Sequence, residues 1–388
     1  MSDRVYLDHN ATTPLLPEVA ERMSRVLHEV YGNPSSTHAE GAVARRLVDT
    51  AREQIAALLS VNPREIYFTA GATEANNTAL IGTVEEARAG SQTAQHVVAT
   101  AVEHPSIEAP LVWLDAQGHR VTRLPVDEAG LIDLATLDAV LAEGPRLVTI
   151  IWANNETGVI QPMAEIADRV KACGALLHVD ATQAVGKADV DLSRVPADLL
   201  SLSAHKFNGP KGVGCLVVKT GVECAPRSLG GPQERRFRGG TENVAGIAGL
   251  GLAAQLASAD LEDRMQKYAA LRDHLWEALT ANVPKLRRNG DVTAMLCNTL
   301  SVEFCGVAGD VLVQSLDLEG VAASAGAACH SGSIHPSHVL TAMGRSAEEA
   351  LGCLRLSVGF GVDEAQIDRA AAIIAEQVAK LRELDTNR

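Results

Sequence analysis

From residue 65 to about 220 the chain alternates short β-rich runs with helical patterns, and no other feature constrains its fold as much. Candidate strands cover 66–69, 96–101, 120–125, 147–153, 176–180, 199–203 and 213–219. Helical segments at 73–88, 107–116, 134–142 and 163–172 separate them. Such alternation predicts an α/β sheet, mostly parallel, with helices on both faces. The run Leu147-Val-Thr-Ile-Ile-Trp-Ala153 is apolar nearly throughout, as a strand buried on both sides must be. After a Gly-rich stretch at 229–251 the pattern changes. A charged helix at about 261–281, a strand near 300–304, another helix, the loop holding Cys329, a strand at 354–358 and a closing amphipathic helix at 364–384 predict a smaller α+β domain. The expected organisation is an N-terminal segment, 1–20, packing with the small domain, a large domain over 21–255 and a small domain over 256–388.

Composition narrows the function classes. The 388 residues are 46% hydrophobic and 21% charged, enough for two domains with sizeable cores and too apolar for bulk disorder. Lys plus Arg is 34 against 48 Asp plus Glu, a formal net charge of -14. No nucleic-acid partner is expected on such a surface, despite the local run of Arg235, Arg236 and Arg238. The longest uncharged stretch, 243–259, falls short of the ~20 strongly apolar residues a membrane span requires, so no membrane association is expected. Met1-Ser2-Asp3-Arg4 leads into an apolar strand without a signal-peptide core, and the expected location is the cytoplasm. Seven cysteines, without a Cys-x-x-Cys pair, favour neither a zinc site nor a disulfide scaffold, and no metal is expected. Aromatic residues are only 3%, so a flat cofactor would stack on another kind of side chain.

The informative polar residues sit at strand ends. The run 197–203 is followed by Ala204-His205-Lys206, which places Lys206 where ligands of parallel α/β sheets bind. A lysine leaving an apolar strand beside a histidine can form a Schiff base, because desolvation lowers its pKa. The plain alternative is a surface-loop lysine. Gly174-Ala-Leu-Leu-His-Val-Asp180 ends a second strand in a carboxylate, with Gln183 three residues on. Such a carboxylate suits the pyridine nitrogen of pyridoxal phosphate (PLP), although a helix-capping aspartate reads the same way. Ala70-Gly71-Ala72-Thr73-Glu74-Ala75-Asn76-Asn77 follows a strand and opens a helix, so its backbone N–H groups and the Thr73 hydroxyl suit a phosphate. His104, in Val102-Glu-His-Pro-Ser106, is either a stacking plate or a capping histidine. Trp152-Ala-Asn-Asn-Glu-Thr-Gly158 offers amides, or simply a turn. Cys329 lies among small residues beside His330, as an accessible loop nucleophile would. Arg355 is a charge inside an apolar strand and needs an anionic partner, such as a substrate carboxylate.

Together these runs resemble the cysteine desulfurases of the NifS/IscS type, PLP enzymes of the class V aminotransferase group. The likeness covers nearly the whole chain, through Tyr6-Leu-Asp-His-Asn-Ala-Thr-Thr-Pro14, Gly32-Asn-Pro-Ser-Ser-Thr-His38, the 71–77 loop, Glu103-His104-Pro105, Asn154-Asn-Glu-Thr-Gly158, His178-Val-Asp-Ala-Thr-Gln183, Ser203-Ala-His-Lys206 and Arg238-Gly-Gly-Thr-Glu-Asn243. The resemblance implies a fold-type I PLP-dependent transferase, with a mostly parallel seven-stranded sheet in the large domain and a smaller α+β domain. It gives Lys206 the Schiff base, Asp180 the pyridine nitrogen, Gln183 the ring oxygen and His104 the stacking face. Ala72, Thr73, Ser203 and His205 would hold the phosphate, joined by Thr241 from the neighbouring subunit of a homodimer. Asn33, Asn155 and Arg355 would bind the substrate carboxylate, with Asn155 also beside the cofactor.

The implied reaction converts L-cysteine to L-alanine, with Lys206 as base, His104 as acid and Cys329 as the nucleophile that keeps the sulfur as a persulfide. A sulfur-acceptor protein, as in iron–sulfur cluster assembly, would be the partner. The loop Ala-Gly-Ala-Ala-Cys-His-Ser departs from the family's Ser-Gly-Ser-Ala-Cys-Thr-Ser. Its Gly-Ala-Ala-Cys-His-Ser run, with Glu234–Asn243, looks like the selenocysteine lyases, so L-selenocysteine is the alternative substrate. A PLP-dependent transaminase of the same fold is the remaining alternative.

Overall fold

The computed structural model describes residues 4–325, 328–330 and 333–386. The strands are β1 (Val5–Tyr6), β2 (Ile66–Thr69), β3 (His96–Thr100), β4 (Arg120–Leu124), β5 (Leu147–Ile151), β6 (Leu176–Asp180), β7 (Leu199–Ser203), β8 (Gly214–Val218), β9 (Leu286–Arg288), β10 (Thr299–Phe304), β11 (Val321–Ala322), β12 (Ser324–Ala325), β13 (Ala328–His330), β14 (Ser333–His335) and β15 (Cys353–Ser357). The helices are α1 (Pro17–Glu29), α2 (Ala39–Leu59), α3 (Ala72–Asn77), α4 (Thr83–Ser91), α5 (Pro105–Ala116), α6 (Leu134–Leu141), α7 (Met163–Cys173), α8 (Val244–Ala259), α9 (Leu261–Asn282), α10 (Gly309–Leu318), α11 (His338–Ala342), α12 (Ala347–Leu351) and α13 (Glu364–Thr386).

Seven strands form the large sheet in the order β2-β8-β7-β6-β5-β3-β4. Strands β3 to β7 are parallel, and β8 is antiparallel to both of its neighbours. The reversal has a local cause: after β7 the chain makes a single 3-10 turn, Asn208 takes a left-handed φ of 68°, and Ala204 N–H donates to Val213 O at 3.1 Å. Apolar side chains cover both faces. One cluster joins β5, β6 and β7 to α2, α7 and α8, and another joins the opposite face to α3 and α5. The central strands β5, β7 and β8 are buried at every position, as their mostly apolar runs require.

The second core packs α9, α10 and α13 on the antiparallel sheet β12-β15-β10-β9. Val5 and Leu7 join this core, whereas Leu16 and Val19 belong to the core under the large sheet. The N-terminal segment therefore crosses from one core to the other. Among the described residues no single helix is long and apolar enough to cross a membrane.

Two local details differ from the sequence expectation. The helix expected over 73–88 contains a π-helical stretch, Thr78–Gly82, because Cys224 Sγ donates to Thr78 O and Ala225 N–H donates to Gly82 O. The Cys329 backbone, expected as a loop, lies in a short hairpin that pairs Cys329 with Ile334; its side chain falls outside the described residues.

Arg52 of α2 is buried against Glu234, with Nη2 donating to Oε1 at 2.7 Å and Nη1 to Oε2 at 3.0 Å. Phe68 N–H donates to the same carboxylate at 3.0 Å. These bonds hold Glu234, Arg235 and Arg236 at φ 44°, 56° and 69°, a left-handed run disfavoured for residues with a Cβ. The basic run is thereby tied down along the surface, with Arg235 and Arg236 still exposed: Arg235 stacks on Tyr67 and donates to Ile66 O, and Arg238 pairs with Glu74 at 2.9 Å. Removing Glu234 would strand a buried guanidinium. Glu234→Ala is expected to lower the unfolding free energy by about 3–5 kcal/mol, measured from the denaturant midpoint.

His178 of β6 is fully buried between two strands, with its ring nitrogens 2.8 Å from Thr149 Oγ1 and 3.0 Å from Ser201 Oγ. Burial holds it down to about 4, against the pull of Asp180. The unfolded chain takes up this proton near the ordinary 6.5 and the folded chain only near 4. Stability present above about pH 6.5 is therefore lost as pH falls toward about 4. Thermal unfolding midpoints across that window are expected to fall with acid, less steeply in His178→Gln.

Candidate active site

Strands β2, β3, β5, β6 and β7 run the same way, so their carboxyl ends open along one edge of the sheet. The segments leaving those ends enclose a cavity of about 500 Å³. Ala72 and Thr73 line it after β2, His104 after β3 and Asn155 after β5. Asp180 and Gln183 line it from β6, and Ser203, His205 and Lys206 from β7. Nine residues singled out in the sequence thus meet around one space, and Thr12 reaches it from the N-terminal segment.

Lys206 sits in the turn that links β7 to β8. Its Nζ donates to Asn10 O at 2.7 Å and to Ala11 O at 2.9 Å. Burial pulls its pKa down to about 8, with Arg355 adding to the effect and Asp180 and Asp8 opposing it. His205 is lowered to about 4 by burial and by the Lys206 charge, so it is neutral. Its backbone carbonyl accepts Thr13 N–H and Oγ1–H, both at 2.9 Å. The polar run after β1 is what holds this turn in place.

Asp180 is 3% exposed. Its Oδ2 accepts Asn76 Nδ2–H at 2.9 Å and its Oδ1 accepts Thr182 N–H at 3.0 Å. His104 caps α5, with Nδ1 accepting Ser106 N–H at 3.1 Å. The capping and cavity-lining readings of this histidine are both true. Burial lowers its pKa, and Lys206, His338 and Arg355 add to that against Asp180. A neutral ring whose Nδ1 accepts a backbone N–H carries its proton on Nε2.

Arg355 does not line the cavity; it lies behind Asn155, whose carbonyl accepts Nη1–H at 3.0 Å, while Nη2 donates to Asp8 at 2.8 Å. Asn33 is exposed and away from the cavity, with Oδ1 accepting Ser35 N–H, and Thr241 is likewise exposed and away from it. Several residues that complete the site went unassigned in the sequence. Asp8 and Asn10 stood in the quoted Tyr6–Pro14 run without a role, and Asn76 in the 71–77 loop. Glu103 is buried and pushed up to about 8 by that burial. Lys187, four residues after Gln183 and unassigned in the sequence, is buried and pulled down to about 7.

The donors present fit PLP. A Cβ on Gly214 would sit 2.4 Å from Leu202 O and 2.9 Å from Gly71 Cα, so a bare glycine lets the 71–73 turn pack directly on the β7–β8 pair. Thr182 Oγ1, on the cavity wall beside Asp180, is buried without a hydrogen-bond partner. A buried carboxylate, an amine at a strand end and three hydroxyl or imidazole groups near the 71–73 backbone match a pyridine ring, an aldehyde and a phosphate.

Comparison with known proteins agrees with this geometry. Residues 5–370 match the Aminotransferase class-V family. A cysteine desulfurase of Trichormus azollae is 45% identical over 380 residues, covering 98% of this chain and 94% of that protein. Cysteine desulfurase IscS of Methanosarcina thermophila is 41% identical over 380 residues, covering 98% and 93%. A solved NifS-like protein superposes with a TM-score of 0.91 at 36% identity, covering 97% of this chain and 100% of that one. The chain therefore belongs to the class-V aminotransferases and, within them, to the cysteine desulfurases of the NifS/IscS type.

Proposed function

We propose that this chain is a PLP-dependent cysteine desulfurase that converts L-cysteine to L-alanine and keeps the sulfur as a persulfide on Cys329. The observation that carries the reading is Lys206, a buried strand-end amine pulled down to about 8 on the wall of a cavity it shares with Asp180. The names of the relatives favour L-cysteine over L-selenocysteine and over transamination.

Asp180 would hold the pyridine nitrogen, His104 stack on the ring, and Gln183 reach the ring oxygen. Ala72, Thr73, Ser203 and His205 would hold the phosphate. PLP, when bound, supplies the electron withdrawal that makes the substrate's Cα proton removable. The chain's own residues do the rest. Asn76 and the Thr182 N–H fix both oxygens of Asp180, so its charge stays aimed into the cavity. Asn155 would bind the substrate carboxylate from the cavity wall, held there by Arg355 on its carbonyl. Lys206, with its pKa lowered to about 8, gives up its proton far more readily than an ordinary lysine and takes the Cα proton as the free amine. His104 presents its Nε2 proton to the departing carbon fragment. Cys329 thiolate attacks the substrate sulfur: an S–S bond forms, the C–S bond breaks, and the carbon takes a proton and leaves as L-alanine.

The persulfide then passes to a thiol of a sulfur-acceptor protein. We extend the reading to a homodimer, because Thr241 is exposed and away from its own chain's cavity, as a residue serving a neighbouring subunit would be. The described cysteines are free thiols, which supports a reducing, cytoplasmic setting.

The purified protein is expected to show a visible absorption band that borohydride abolishes. Lys206→Ala should lose that band and alanine release together, whereas Cys329→Ala should keep the band and lose alanine release from L-cysteine. Full turnover in either variant would overturn the assignment. Asp180→Asn is expected to retain PLP and slow alanine release by about 10²-fold or more, measured under single-turnover conditions.

A further inference from the structure

The turn after β6 carries a second buried lysine that the proposed reaction does not use. Lys187 is 4% exposed, and its Nζ donates to Gln183 Oε1 at 2.6 Å and to Asn10 Oδ1 at 3.4 Å. Gly186 brings it there. Its φ is +75°, and a Cβ at that position would sit 2.7 Å from Phe207 Cβ, so the reversal closes tightly against the residue after Lys206. Cys297 Sγ donates to the Lys187 backbone carbonyl at 3.3 Å and leaves the amine alone.

A lysine nitrogen has hydrogens to offer the Gln183 and Asn10 oxygens. On its other side, Gln183 Nε2 donates to Asn10 O at 2.8 Å, a carbonyl that can only accept. A carboxamide can be turned end for end, and most glutamines tolerate either orientation. Here the reversed orientation would set Nε2 against the Lys187 amine and Oε1 against the Asn10 carbonyl, two like-for-like contacts. The Gln183 amide is thus held in one sense, with one Nε2 hydrogen on Asn10 and the second left for the cavity that Gln183 lines. Asn10 O also accepts Lys206 Nζ–H at 2.7 Å, so the same network fixes the amide relative to the reactive lysine.

We propose that Lys187 is a positioning residue that locks the Gln183 carboxamide so that its N–H edge, rather than its carbonyl, faces the ring oxygen of the cofactor. This inference rests on the PLP reading above. Lys187 acts through Gln183, and a double-mutant cycle isolates that dependence.

The experiment measures PLP dissociation from the holoenzyme and its visible spectrum in wild type, Lys187→Met, Gln183→Ala and the double variant, with the thermal midpoint as the folding control. Lys187→Met is expected to weaken PLP binding about five- to tenfold, the worth of one hydrogen bond, and to shift the visible band. Gln183→Ala should do the same, and the double variant should be no weaker than Gln183→Ala alone. Losses that multiply in the double variant, or a Lys187→Met protein with wild-type affinity and spectrum, would overturn the proposal. Should Lys187→Met fail to fold, Lys187→Gln replaces it in the same cycle, since a glutamine there can present either end and leaves the Gln183 amide free to turn. A wild type that takes up no PLP overturns the functional reading itself; one that takes it up, with the Lys187 variants unchanged, overturns this inference alone.

Discussion

Two hydrogen bonds, from Lys206 Nζ to the carbonyls of Asn10 and Ala11, tie the turn after β7 to the N-terminal segment. The carbonyls belong to the segment that leaves the small core at Val5 and Leu7 and enters the large core at Leu16 and Val19. Asn10 is itself held from every side. Its Nδ2 donates to Thr299 Oγ1 at 2.8 Å, and its Oδ1 accepts Asn298 Nδ2–H at 3.1 Å. Thr12 and Thr13 continue the strip along the turn that carries His205. The position of the reactive amine is therefore set by both cores at once. A shift of either core against the other would be felt at Nζ, which is how a catalytic lysine on a hairpin turn can be rigid.

The same convergence explains the electrostatics. Lys206, Lys187, His205 and His104 are all pulled below their ordinary values, first by burial and then by one another's charges or that of Arg355. Asp180 and Asp8 oppose this for Lys206. Glu103 cannot help, because burial pushes it up to about 8 and leaves it protonated at neutral pH. A region crowded with bases and short of ionised carboxylates is poised for anions, and a cofactor phosphate and a substrate carboxylate are two such groups. The shifts that make Lys206 a usable base thus come from the arrangement that prepares the site for its ligands.

Legibility in the sequence followed one rule. Lys206 and Asp180 stood out because each stands at the end of a mostly apolar strand, and parallel sheets open their ligand sites at those ends. His104 admitted a capping alternative and makes that bond at the start of α5, whereas no helix follows β6, and Asp180 closes a turn onto Thr182 N–H instead of capping one. The basic run 235–238 does lie at the surface, with Arg235 and Arg236 exposed, but the left-handed turn that aims it is set by the Arg52–Glu234 pair, 182 residues apart. Lys187 drew no assignment because nothing local marks its burial. That burial comes from Gly186 closing on Phe207, a contact across two strands.

The sequence by itself determined the alternation of elements, the strand ends where polar residues would gather, and the family's motifs in order, because these depend on periodicity and on neighbours a few residues apart. Only the tertiary structure decided which of those residues share a cavity, that Arg355 stands behind Asn155 in the grip of Asp8, and that Asn10 is the fixed point for Lys206, Gln183 and Lys187. Each of these is a hydrogen bond or ion pair between residues far apart in the chain. Its partner is chosen by how two cores pack, and no local pattern along the backbone carries that information.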